Sequence, residues 1–107
     1  MNMINRQDLQ EKITREPGLV LLEALPERYW RKGHLPNARL FPHDRVRELA
    51  SVAAPRKDAP IVVYCASVTC ENSQQAAAEL TALGYSDVRV YAEGKADWEA
   101  AGLPLER

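Results

Sequence analysis

The chain has 107 residues, 46% of them hydrophobic, and sets 14 lysines and arginines against 15 aspartates and glutamates for a net charge of −1. That length has room for one domain, residues 1–107, around a single core, and intermixed charges leave no electrostatic footprint for nucleic acid or an anionic membrane. No apolar run approaches the length of a bilayer span, and Met1-Asn2-Met3-Ile4-Asn5-Arg6-Gln7-Asp8 holds no leader-like apolar segment, so a cytoplasmic location is expected.

Taken in order, Asn5 is placed to cap a first helix in which Leu9 and Ile13 lie four apart on one face. Gly18 clears the way for Leu19-Val20-Leu21-Leu22, a buried strand. Pro26 to Lys32 carries helix formers that stop at Gly33, and His34-Leu35-Pro36 turns into the short apolar piece Leu40-Phe41. Asp44 is placed to cap a third helix containing Val46, Leu49 and Val52, and Pro55 to Pro60 is a charged connector bounded by prolines. Ile61-Val62-Val63-Tyr64 is the most apolar run and reads as a buried strand. Beyond a polar loop, Asn72 with Gln75 resembles a capping box, so a helix opens near Asn72 or Ser73. Ala76, Ala77, Leu80 and Leu83 continue it to Gly84 as a C′ residue. Val88-Arg89-Val90-Tyr91 is a last strand, followed by Gly94, a short helix through Trp98 and a Gly102-Leu103-Pro104 exit. Strands alternating with helices imply an α/β fold whose mostly parallel sheet is covered on both faces.

Cys65 directly follows the most apolar strand and precedes the polar loop. In a strand–loop–helix unit that loop is the usual ligand crevice, and the helix N-terminus offers unpaired N–H groups to an anion. A thiolate is an anion, so this setting is expected to lower the pKa of Cys65. The alternative is a buried structural cysteine that ends a core strand. Two cysteines form no disulfide framework, and with two distant histidines they do not make a zinc site; no metal is expected. His34 is read as ordering a turn through backbone hydrogen bonds, His43 as a surface residue, and Trp30 and Trp98 as packing. Arg28, Arg31, Lys32, Arg56 and Lys57 are read as solvated faces.

Three segments together resemble the single-domain rhodaneses, a sulfurtransferase-like family, over nearly the whole chain. They are Leu21-Leu22-Glu23-Ala24 leading through Tyr29-Trp30 to Gly33-His34-Leu35-Pro36-Asn37-Ala38, then Ile61-Val62-Val63-Tyr64-Cys65, then Tyr91-Ala92-Glu93-Gly94 with Trp98 and Gly102-Leu103-Pro104. The resemblance implies a rhodanese-like sheet of about five strands and a persulfide mechanism on Cys65. The thiolate attacks the outer sulfur of a small donor such as thiosulfate or a persulfide, then passes that sulfur to a thiol acceptor or protein persulfide carrier, with no metal or organic cofactor. The loop Ala66, Ser67, Val68, Thr69, Cys70, Glu71, Asn72 and Ser73 is then the substrate-binding segment, its N–H groups converging on the charged sulfur.

The loop departs from the family's pattern. It has no arginine, carries Cys70 at the sixth position, and counts two extra residues before the helix. Arginine reads sulfonate oxygens in a bidentate fork, so its absence weakens the expected recognition of thiosulfate. The family's early Asp is replaced by Glu23, read as structural, and the following Arg by Leu25. Cys70 is either a resolving thiol for Cys65 or a space-filling loop residue. Two functions therefore stand: a sulfurtransferase working through Cys65, or a non-catalytic, redox-sensing module using the Cys65/Cys70 pair.

Overall fold

The computed structural model describes residues 2–107. In chain order these form β1 (Asn2–Met3), α1 (Arg6–Arg15), β2 (Val20–Glu23), α2 (Glu27–Lys32), β3 (Arg39–Leu40), α3 (Val46–Ala53), β4 (Ile61–Tyr64), α4 (Asn72–Ala82), β5 (Val88–Tyr91) and α5 (Gly94–Ala100). The strands pair in the order β1-β5-β4-β2-β3, and every pair is parallel. The α/β fold expected from the sequence is thus present, with a wholly parallel five-stranded sheet.

Parallel pairing requires helical crossovers that cover both faces, so the central strand is buried on each side and needs no polar alternation. β4 meets that demand: all four of its residues are buried. Ile61 and Val63 point to one face, where Leu22, Phe41, Val46, Ala76, Leu80 and Val90 pack beneath α3 and α4. Val62 and Tyr64 point to the other, with Leu9, Leu21, Leu35, Tyr91 and Trp98 beneath α1 and α5. Each fully buried aliphatic side chain contributes ~1.5–3 kcal/mol, so the register of β4 is strongly specified.

Local signals for the first helix match the structure, since Asn5 accepts a hydrogen bond from the Asp8 N–H at 2.8 Å. Gly84, at φ 99°, follows the end of α4 as the expected left-handed residue. Other signals are overturned. Asp44 does not cap α3: the Arg45 N–H closes a turn onto the Pro42 carbonyl at 3.0 Å, which moves the cap position to Arg45. No side chain caps that end, and Arg45 instead grips Glu48 through two contacts of 2.8 and 3.0 Å. The third helix does contain Val46, Leu49 and Val52; α3 seats the stripe of Val46, Ala50 and Ala53 on the sheet and leaves Val52 79% exposed. The Asn72/Gln75 capping box does not form either; Glu71 takes the cap position of α4, with no side-chain bond, and its carbonyl accepts from the Gln75 N–H. His43 is half-buried, not a free surface residue, and its Nδ1 is buried with no partner among the described residues. The sequence reading contained no strand at β1, a two-residue edge that gains its partner only when Met3 pairs with Val90.

Candidate active site

Because all strands run the same way, their carboxyl ends share one edge. β4 leads through α4 to β5 on one side, whereas β2 leads through α2 to β3 on the other. The chain therefore diverges between β2 and β4, and the crevice at that switch point is flanked by Glu23 and Cys65.

The start of the loop after β4 is clamped by the first turn of α5. The Lys95 N–H donates to the Cys65 carbonyl at 3.0 Å and the Ala96 N–H to the Ala66 carbonyl at 2.9 Å. Gly94 makes this approach possible: at φ 66° it is left-handed, and a Cβ there would stand 2.4 Å from the Cys65 carbonyl oxygen. Six residues, Ala66 to Glu71, separate Cys65 from α4, so Asn72 and Ser73, counted with the loop in the sequence, form the helix's first turn. Ala66, Val68, Thr69 and Glu71 are exposed, while Ser67, Cys70 and Asn72 are half-buried. The loop is braced by Ser67 Oγ and Thr69 Oγ1 at 3.0 Å and by the Cys70 N–H donating to the Ser67 carbonyl at 3.0 Å.

Cys65 itself is 0% exposed. Its Sγ donates to the Cys70 carbonyl at 3.3 Å and lies 3.4 Å from Oγ of the buried Ser73, at the N-terminal turn of α4. The expected lowering of its pKa does not hold in this arrangement. Burial pushes the thiol up, the Cys70 side chain adds to that, and the Ser73 hydroxyl and N–H pull it down by less. Of the segment's N–H groups, that of Ser73 acts on the sulfur, whereas that of Cys70 is spent on the Ser67 carbonyl and the Cys70 carbonyl oxygen faces Sγ. The geometry suits a protonated thiol.

On the α5 face of the sheet, opposite α4, lies a polar network that sequence reasoning did not assemble. Glu23, 0% exposed, receives Lys95 Nζ at 2.9 Å and the Tyr64 hydroxyl at 2.7 Å on Oε1, while its Oε2 is buried with no partner among the described residues. Tyr64 in turn accepts from the Leu35 N–H at 3.1 Å, and Lys95 also donates to the Tyr29 carbonyl at 3.2 Å. Burial, and then the Glu23 charge, push the Tyr64 phenol far above its ordinary range, so it stays a donor. Lys95 thus ties the end of β2 to the loop after β4 with its side chain and backbone together. No local pattern pairs Lys95 with Glu23; only Gly94 beside it was conspicuous.

His34 sits at the bend after α2, with Nδ1 2.9 Å from the Trp30 carbonyl and its ring stacked on Trp30 at 4.1 Å. Its backbone pairs with Glu106 in both directions, at 2.9 and 2.8 Å, tying the C-terminal segment down. Trp98 is buried and donates to the Pro104 carbonyl at 2.9 Å. Among the surface bases, Arg31 pairs with Glu27 and Arg56 with Asp58.

A fully parallel sheet that delivers one thiol to its switch point, against a helix N-terminus, defines a cysteine-centred α/β domain. The chain belongs to the rhodanese family: the model of the rhodanese-like domain matches residues 5–101. Among solved structures it is similar to a rhodanese-related protein from Thermoplasma volcanium, at 25% identity, TM-score 0.81 and 99% and 98% coverage of the two chains. It is also similar to a thiosulfate sulfurtransferase from Pseudomonas aeruginosa, at 29% identity and TM-score 0.87, with all of this chain matching 20% of that one. A rhodanese with anions from E. coli matches at 25% identity and TM-score 0.69, over 83% and 98% of the two chains. No curated protein matches. Among the described residues, no helix is long and apolar enough to cross a membrane.

Proposed function

We propose that this rhodanese-like domain is a sulfurtransferase that moves sulfane sulfur through a persulfide on Cys65. The observation that carries the reading is the position of that thiol at the switch-point edge, against the first turn of α4 and the Ser73 hydroxyl. The sulfurtransferase and anion-bearing neighbours support it. Atom balance is simple: the Cys65 thiolate attacks the outer sulfur of a persulfide or thiosulfate, a thiol or sulfite leaves, and an acceptor thiol later takes the sulfur.

Cys65 is closed off in the present arrangement, so loading requires the loop to part. Ionisation favours that movement, because a thiolate repels the Cys70 carbonyl oxygen that a thiol holds. Turning the Cys70–Glu71 peptide over would replace the carbonyl by the Glu71 N–H and begin the anion cradle. A small donor and a thiol acceptor, or a protein persulfide carrier, are the partners this chemistry needs. With no arginine in the loop and the Lys95 ammonium committed to Glu23, persulfides are the better donors. A charge-assisted bidentate contact is worth ~1.5–3 kcal/mol, so thiosulfate is disfavoured by roughly ten- to a hundredfold.

The test is intact mass and steady-state kinetics with both donors. Sulfur taken up at Cys65, whether it stays as an adduct or leaves as sulfide, and abolished in Cys65→Ser, supports the reading; sulfur found only on Cys70, or thiosulfate used as well as a persulfide, contradicts it. A second reading, a non-catalytic redox-sensing module, is favoured by the complete burial of Cys65. It predicts neither a sulfur adduct nor sulfide release with either donor.

A further inference from the structure

The loop folds residue 70 back onto the sulfur of residue 65. Cys65 Sγ is 3.3 Å from the Cys70 carbonyl oxygen, and the sulfur of Cys70 hangs three bonds from that carbonyl carbon. The Ser67–Cys70 turn and the Ser67–Thr69 hydroxyl pair hold this curl in place. Both cysteines are free, and Cys70, unlike Cys65, is partly accessible.

We propose that Cys70 resolves a Cys65 persulfide by attacking its inner sulfur, releasing hydrosulfide and leaving a Cys65–Cys70 disulfide, so that the domain discharges sulfane sulfur as sulfide. The inference rests on the reading of Cys65 as the sulfur carrier. In the persulfide the inner sulfur is Cys65 Sγ, the atom that residue 70 already overlies. The Cys70 thiolate forms a bond to it, the bond from Sγ to the outer sulfur breaks, and the electron pair leaves on the outer sulfur, which takes up a proton. Two cysteine thiols lose two electrons in total and the sulfane sulfur gains them, so no external oxidant is consumed. Closing a ring over so few residues costs little chain entropy, and the curl already lays the backbone of residue 70 against Cys65 Sγ. A later thiol reductant restores the starting state.

The experiment loads the reduced full chain with an organic persulfide, whose spent form is a thiol rather than sulfide, and removes small molecules by rapid desalting. Sulfide release, free thiols and intact mass are then followed in wild type, Cys70→Ser and Cys65→Ser. Wild type is expected to release one sulfide per loaded chain, lose both thiols and end two hydrogens lighter than the reduced protein. Cys70→Ser is expected to keep the added sulfur on Cys65 and to release no sulfide. A wild type that keeps the adduct as long as Cys70→Ser does, without a disulfide, overturns the resolving step while leaving the carrier role of Cys65 standing. Absence of any adduct in Cys70→Ser overturns the carrier role and the resolving step with it.

Discussion

Replacing Gly94 by alanine tests how closely α5 must approach the Cys65 loop. The added Cβ would lie 2.4 Å from the Cys65 carbonyl oxygen, 3.0 Å from the Ala66 carbonyl carbon and 3.1 Å from that of Cys65. All three neighbours are backbone, so relief requires the helix or the loop to move by about an ångström, toward the ~3.3–3.6 Å of an ordinary carbon–oxygen contact. That shift loosens the Lys95 N–H to Cys65 and Ala96 N–H to Ala66 bonds, each worth ~0.5–1.5 kcal/mol. The left-handed φ of 66° costs a non-glycine residue a further ~1–2 kcal/mol. Together these place Gly94→Ala about 2–5 kcal/mol below wild type in urea unfolding. Gly94→Asn separates the contributions, because asparagine tolerates the left-handed region but carries the same Cβ. It should recover only the dihedral part. A Gly94→Ala protein within ~0.5 kcal/mol of wild type, or full recovery by asparagine, would refute the close-approach argument.

Lys95→Met should destabilise the fold by ~3–5 kcal/mol, since it leaves the buried Glu23 charge uncompensated, and the double variant with Glu23→Gln should regain much of that loss in a urea-unfolding cycle. Additive losses in the double variant would show that the pair is not coupled. Burial raises the Cys65 pKa above its unfolded value, so its contribution to stability is complete below ~8.5 and is lost as pH rises through the folded pKa. Unfolding free energy should therefore decline above about pH 8.5, by at most ~1.4 kcal/mol per pH unit from this group. In Cys65→Ala that decline should vanish until the tyrosine range near ~10, where Tyr64 and Tyr91, both also raised by burial, add losses of the same sign. Equal slopes in the two proteins between these limits would show that Cys65 is not the titrating group.

Much of the fold was legible in the sequence, because the information that specifies it is local. Ile61 to Tyr64 must be buried on both sides whatever surrounds them, which marks a central parallel strand, and the following residues keep helical spacing to Gly84. The placement of Cys65 at the end of that strand followed directly. Features that needed long-range partners were not legible. β1 is a strand only through Val90, and the exposure of Val52 follows from how α3 seats Val46, Ala50 and Ala53 on the sheet. The state of Cys65 was misjudged for the same reason. Strand and helix order gave a helix N-terminus beside a thiol, which argues for a lowered pKa, but the pKa depends on what encloses the sulfur. The sequence alone determined which element carries the thiol and that a helix follows it. The tertiary structure decided that the thiol is sealed under a carbonyl, that α5 clamps its loop, and that Lys95 meets Glu23 across 72 residues, since burial and charge pairing are properties of space rather than of order along the chain.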